Sequence, residues 1–132
     1  MANSKQIGDE SAGMVIAALL QRKEIVLVPF GDNQRYDVVV DRNGAFVRIQ
    51  IKTGRLERGA IEFDTCSSYA HRGRGHRDYR GDADLFGVYC PDTKKAYLVP
   101  VDEVGTRSGS LRVAPPRNGQ NKKIRLALDY EL

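Results

Sequence analysis

Tyr36-Asp37-Val38-Val39-Val40-Asp41-Arg42-Asn43-Gly44-Ala45-Phe46-Val47-Arg48-Ile49-Gln50-Ile51-Lys52-Thr53 is the stretch whose reading decides the fold. Two runs rich in β-branched residues flank an Asn-Gly pair, the strongest short-range signal for a β-hairpin. With Asn43 and Gly44 as the loop, Arg42 pairs with Ala45, and counting back sets Asp37 opposite Gln50. Period-2 alternation gives Phe46, Arg48, Gln50 and Lys52 one face of the second strand, and Val47, Ile49 and Ile51 the other. An aspartate, a glutamine and a lysine are thereby expected together on one sheet surface.

That grouping suits phosphodiester chemistry. A carboxylate and a second oxygen ligand can hold a Mg²⁺ ion that keeps several waters and takes a phosphate oxygen. A lysine two residues along reaches the same spot, where it can orient the attacking water and offset charge developing on phosphorus. Spacing alone leaves a plainer reading open, a polar outer face on which Lys52 pairs with Asp37.

The ordered series extends further. Tyr36-Asp37 is followed, about a dozen residues on, by Gln50-Ile51-Lys52. Val28-Pro29-Phe30-Gly31-Asp32-Asn33 precedes them, and Tyr89-Cys90-Pro91, Tyr97 to Val101, Leu111-Arg112 and Arg117-Asn118-Gly119-Gln120 come after. From roughly Ile7 to Leu128 the chain resembles the PD-(D/E)XK nuclease superfamily. Within it, the likeness is to the small group I intron homing endonucleases in which glutamine replaces the usual acid. Archaeal Holliday-junction resolvases share this core more distantly.

The resemblance implies a single α/β domain over residues 1–132 with a restriction-endonuclease-like core, in which an N-terminal helix precedes a mixed central sheet with flanking helices. It implies a DNA endonuclease dependent on Mg²⁺ or Mn²⁺. Asp37 would be the main metal ligand, Gln50 and the Ile51 carbonyl further ligands, and Lys52 the group acting on water and phosphate. Duplex or branched DNA would be the substrate. One active site per domain and two strands to cut imply a homodimer or homotetramer. A junction resolvase and a catalytically silent DNA-binding module are the alternatives.

Length and composition agree with one soluble domain: 132 residues, 41% hydrophobic, 29% charged. A net charge of +4 permits a polyanionic partner without demanding one. Cys66 and Cys90 lie far apart with no pairing framework and read as reduced thiols. With no signal peptide and no long apolar run, the expectation is an intracellular, cytoplasmic protein without a membrane span.

Residues 1–7 read as a loose end, with Asp9 or Ser11 capping a helix that runs to about Lys23. On a helical wheel Ala12, Val15, Ile16, Leu19 and Leu20 share one face centred near Ala12, with Glu10 opposite. Relatives carry a glutamate in the first turn of this helix, aimed at the metal, and counting from Leu19-Leu20 assigns that slot to Ala12. Three explanations follow: an engineered substitution that disables the site, a natural loss, or Glu10 serving instead through a late helix start.

Ile25 to Phe30 reads as a strand buried on both faces, Thr53 to Gly59 as a basic turn, and Ala60 to Thr65 as a half-exposed strand continuing an antiparallel sheet. Ser67 to Gly81 lacks an apolar period and reads as a loop. Leu85 to Cys90 and Ala96 to Val101 form a second hairpin with Tyr89 and Tyr97 as cross-strand aromatics, followed by a short helix at 100–104. Residues 106–123 read as a long basic connection, and Ile124 to Leu132 as a closing helix or strand docked through Leu126 and Leu128. Candidate DNA contacts are Arg55, Arg58, Arg72, Arg74, His76, Arg77, Arg80, Arg117, Lys122 and Lys123, as phosphate-binding cations on loops. Zinc held by Cys66, His71, His76 and Cys90 is disfavoured because the cysteines form no close pair such as C-x2-C and the histidines lie inside a glycine-rich loop.

Overall fold

The computed structural model describes residues 3–68, 76–114 and 124–132. It opens with α1 (Ser4–Gln21), capped by Asn3, whose side chain accepts the Gln6 N–H at 2.8 Å while Gln6 Oε1 accepts the Asn3 N–H at 3.1 Å. This reciprocal box satisfies two otherwise orphaned donors. The helix therefore begins before Asp9 and Ser11, and residues 4–7 belong to it rather than to a loose end. Its buried face is Ser11, Val15 and Leu19; Ala12 and Ile16 flank that face, and Leu20 is exposed. The centre of the face is thus Ser11, one residue from the expected Ala12. Ala12 itself lies in the third turn rather than the first.

The main sheet holds β1 (Ile25–Leu27), β2 (Val38–Arg42), β3 (Ala45–Thr53), β8 (Leu85–Cys90) and β9 (Lys95–Pro100), in the spatial order β1-β2-β3-β8-β9. A second sheet holds β4 (Arg55–Glu57), β5 (Ala60–Asp64) and β10 (Ser108–Arg112), in the order β10-β5-β4, while β6 (Cys66–Ser68) and β7 (His76–Asp78) pair with each other. The β2–β3 hairpin has the expected register, Arg42 against Ala45. Asn43 and Gly44 both take positive φ, 55° and 89°, as a type I′ loop requires. β3 runs parallel to β8, which makes the sheet mixed.

α1 covers one face of the main sheet, with Val15 and Leu19 packed among Val38, Val40, Ile49 and Ile51. Gly87 on β8 permits this approach, since a Cβ there would lie 2.9 Å from Val15 Cγ1. On the opposite face Phe86, Val88 and Val99 meet Ile61, Phe63 and Leu111 of the second sheet. The chain passes between the sheets at Gly54, where a Cβ would fall 2.6 Å from Ile61 Cγ2. The strand residues of the main sheet in this second core come from β8 and β9, so among the described residues the β1–β2 half of the face has no such cover. Leu27, Val28 and Phe46 are exposed there around a cavity of about 380 Å³ lined also by Pro29, Tyr36, Val39 and Arg48.

Several expectations are corrected. The segment from Ile25 is an edge strand that ends at Leu27 and stays largely exposed, because among the described residues it pairs only with β2 and lies outside the core against the second sheet. Thr53 to Gly59 contains β4, and β5 joins the second sheet instead of extending the first. The stretch read as a loop from Ser67 carries the β6–β7 ladder, formed without an apolar period because its strands are only three residues each. Tyr97 pairs with Val88 and Tyr89 with Ala96, so the two tyrosines point to opposite faces. β10 lies inside the supposed basic connection. At the C-terminus, α2 (Ala127–Tyr130) buries Ala127, while Leu126 is exposed and Leu128 is 78% exposed. The 3-10 turn at Val101–Glu103 matches expectation. None of the described helices is long and apolar enough to cross a membrane.

Candidate active site

The hairpin ladder ends with Val38 against Ile49. Asp37, one residue earlier, also donates its N–H to the Ile49 carbonyl at 2.8 Å. Two residues thus stand against one, the geometry of a β-bulge, which turns a side chain out of regular alternation. The simple opposition of Asp37 to Gln50 expected from counting gives way here. The Asp37 side chain instead replaces the missing backbone of β2: its Oδ2 accepts the Ile51 N–H at 2.8 Å. Because N–H and C=O of one strand residue leave on the same side, the Ile51 carbonyl faces the same edge as this carboxylate.

Asp37 is exposed as a residue, yet its carboxyl is held above the ordinary pKa. Partial burial of the carboxylate is the larger cause and raises it; the Ile51 N–H and the charge of Lys52 act the other way and only partly compensate. The site therefore holds a costly negative charge at neutral pH.

Gln50 and Lys52 stand on the face of β3 shared with Phe86 and Val88 of β8, and both are half-buried. Lys52 does not form the bridge to Asp37 of the plainer reading: that pair is absent from the ion pairs among the described residues. Its Nζ instead donates to the Tyr79 hydroxyl at 3.3 Å and the Cys66 carbonyl at 3.4 Å, and sits 4.6 Å from the Tyr79 ring centroid. Arg35 lies over the same ring at 4.0 Å. Arg35 did not stand out in the sequence, and Tyr79 reads there as a loop tyrosine able to stack on an unpaired base, whereas it is buried. Arg35 adjoins the Tyr36-Asp37 motif, but nothing in sequence shows that Tyr79 is buried, since its neighbours are arginines and glycines.

Glu10 is exposed in the helix interior, because the early start at Ser4 removes the late entry that would have aimed it inward. The sheet-facing position is Ser11, whose hydroxyl hydrogen-bonds that of Thr53, beside Lys52. Arg55, Arg58, Arg77 and Arg80 are exposed, as DNA contacts require. Three have intramolecular partners as well: Arg55 with Glu57 at 3.0 Å, Arg77 with Asp82 at 3.3 Å, and Arg80 with the Val104 carbonyl at 3.1 Å. Arg58 occupies the turn after β4 with φ 52°. His76 begins β7. Arg72, Arg74, Arg117, Lys122 and Lys123 lie outside the described residues, as does His71.

Among the described residues no three His, Cys, Asp or Glu side chains gather as a metal cluster. A divalent ion here would rest on one carboxylate and on neutral oxygens from Gln50 and Ile51. That all-oxygen set fits Mg²⁺ or Mn²⁺, hard ions that retain water, and not zinc.

A search of curated proteins returns no match. Among solved structures, the bacterial homing endonuclease I-Ssp6803I superposes with a TM-score of 0.78 at 25% identity, covering 98% of this chain and 89% of that one. The sequence model of the PD-(D/E)XK endonuclease family matches residues 2–132, and the chain belongs to that family.

Proposed function

We propose that the chain is a divalent-metal-dependent DNA endonuclease of the homing-endonuclease type. The observation that carries this reading is Asp37, placed by a bulge and fixed by the Ile51 N–H at the strand end where Gln50 and Lys52 emerge. Asp37, Gln50 and the Ile51 carbonyl would hold Mg²⁺ or Mn²⁺. Bound there, the ion would supply Lewis-acid activation of phosphate and acidification of water. Lys52 orients the attacking water and balances charge on the phosphoryl oxygens. Glutamine in place of the usual acid removes one negative charge, so metal affinity leans on the substrate's own phosphate.

One site per chain serves one strand, so the working form is a homodimer or homotetramer. The exposed apolar residues Leu27, Val28 and Phe46 on that half of the sheet support association between copies.

A second reading has its own observation. Ala12 flanks the sheet-facing side of α1, and Glu10, the nearest acid, is exposed. A site short of one acid is a catalytically silent DNA-binding module. Cleavage of plasmid duplex and of a synthetic four-way junction with Mg²⁺ and Mn²⁺, by the chain as given and by Ala12→Glu, separates the readings. Duplex cleavage that increases in Ala12→Glu supports the endonuclease and the slot. Preference for the junction supports a resolvase, and DNA binding without cleavage in both forms supports the silent module.

A further inference from the structure

Tyr79 is only 5% exposed, and its ring stands edge-on to Phe86 with centroids 5.6 Å apart. Packing alone would be met by phenylalanine, so the hydroxyl needs another reason. It has one in Lys52, whose ammonium donates to it at 3.3 Å and sits 4.6 Å from the ring centroid. The Cys66 carbonyl accepts a second Nζ proton at 3.4 Å. Of the three ammonium protons, one is left for substrate.

Backbone and ring of Tyr79 are each held. The Tyr79 carbonyl accepts the N–H groups of Asp82 and Ala83 at 2.9 and 3.0 Å. Arg35 stacks on the ring at 4.0 Å and donates to the carbonyls of Arg77 and Asp78, to Ser67 Oγ and to the Asp82 carboxylate. It lies two residues before Asp37, so the segment that presents the carboxylate also clamps the segment that presents the tyrosine. A lysine on an open strand face has four rotatable bonds to fix, and an aromatic surface with two acceptors fixes them before substrate arrives.

We infer that Tyr79 is a positioning residue for Lys52, locked in place by Arg35. The inference rests on the nuclease reading of Lys52, and the test keeps the two apart. Single-turnover DNA cleavage and metal-free DNA affinity are measured for Tyr79→Phe, Tyr79→Leu, Lys52→Ala and the Lys52→Ala/Tyr79→Phe double variant, in the chain as given and in its Ala12→Glu form. The ε-methylene protons of Lys52 are followed by NMR in the proteins that retain it, the parent, Tyr79→Phe and Tyr79→Leu.

Tyr79→Phe is expected to cleave about tenfold more slowly and Tyr79→Leu about 100-fold, the scale of a 1 Å misplacement, with DNA affinity within about twofold of the parent. The double variant is expected to be no slower than Lys52→Ala, because Tyr79 acts through Lys52. Ring current should displace the ε-methylene upfield in the parent and in Tyr79→Phe, and release it in Tyr79→Leu. Parent-like cleavage by Tyr79→Phe, additive losses in the double variant, or an undisplaced ε-methylene in the parent would each overturn the inference. Parent-like cleavage by Lys52→Ala, with the ε-methylene displaced in the parent, overturns the nuclease role of Lys52 alone. In a chain that cuts nothing, the ring-current displacement decides the placement.

Discussion

The Ile51 N–H donates to Asp37 Oδ2 across 2.8 Å, so a side chain completes the edge of the sheet where the backbone of β2 has turned away. The same bond orients the carboxylate and commits one of its oxygens, leaving Oδ1 for a cation. Partial burial nevertheless outweighs this bond and the pull of Lys52, and the carboxyl titrates above its ordinary value.

The sign of the consequence is fixed. An unfolded aspartate titrates at about 3.9, and a raised folded value means that ionisation costs the native state. The contribution to stability is full below the unfolded value and is lost as pH rises through the raised one. Asp37→Asn keeps an oxygen for the Ile51 N–H and carries no charge. Without divalent ions it is therefore expected to melt above the parent at pH 7, with the two converging near about pH 3. Its cleavage should fall by more than about 100-fold, since even outer-shell changes at metal sites cost 10–100-fold. Thermal melts across pH check the first expectation; a variant equal to or below the parent at pH 7 contradicts it.

A cation bound at Asp37 offsets that cost, which gives a readout independent of cleavage. Mg²⁺ at about 100 times its Kd contributes about 2.7 kcal/mol to a folded state that alone binds it. For a domain of this size the melting temperature then rises by several degrees. The rise is expected in the parent and in Lys52→Ala and is expected to vanish in Asp37→Asn. Equal rises in all three proteins would place the ion elsewhere.

The hairpin was legible because its determinants are local: Asn43-Gly44 sets the loop, and the loop sets the register of every pair back to Val38. The bulge at Asp37 was not, since it depends on where β2 stops relative to β3. The helix start was written in Asn3 and Gln6 but lay outside the apolar pattern used to find it. β4, β6 and β7 are three-residue strands that no periodicity marks, and β10 finds its partner β5 far back in the sequence. Lys52 was correctly placed on the Gln50 face, whereas its partner Tyr79 is buried by residues distant in sequence, Arg35 over its ring and Phe63 and Phe86 in the same core.

Gly109 tests the second sheet. It pairs with Phe63 across the β10–β5 ladder, and a Cβ there would lie 2.5 Å from Phe63 Cζ. Phe63 is fully buried with its ring edge-on to Phe86, 5.9 Å between centroids, so it has little room to yield. Gly109→Ala is expected to destabilise by about 1–3 kcal/mol, the usual cost of overpacking. Urea unfolding should show a lower midpoint at unchanged slope, with DNA affinity of the folded fraction retained. An unshifted midpoint would mean that the sheets sit further apart than described.

Arg48 and Asp84 join β3 to the start of β8 through three contacts to one carboxylate. The Arg48 backbone N–H reaches Oδ2 at 2.8 Å, Nε reaches Oδ2 at 3.2 Å, and Nη2 reaches Oδ1 at 3.1 Å. The side-chain hydrogen bonds from Arg48 are the largest cause holding the Asp84 carboxyl below its ordinary value. Both side chains are over a third exposed, so solvent screening limits the whole arrangement to about 1 kcal/mol. A lowered folded value contributes stability above the unfolded pKa of about 3.9 and loses it as pH falls through the folded one. Asp84→Asn is therefore expected to be less stable than the parent at pH 7, and the gap should close on acidification and narrow in high salt. Denaturant midpoints at pH 7 and about pH 3, each at low and high salt, measure it. A gap that persists at pH 3 would assign the stabilisation to packing at the β3–β8 edge instead of charge.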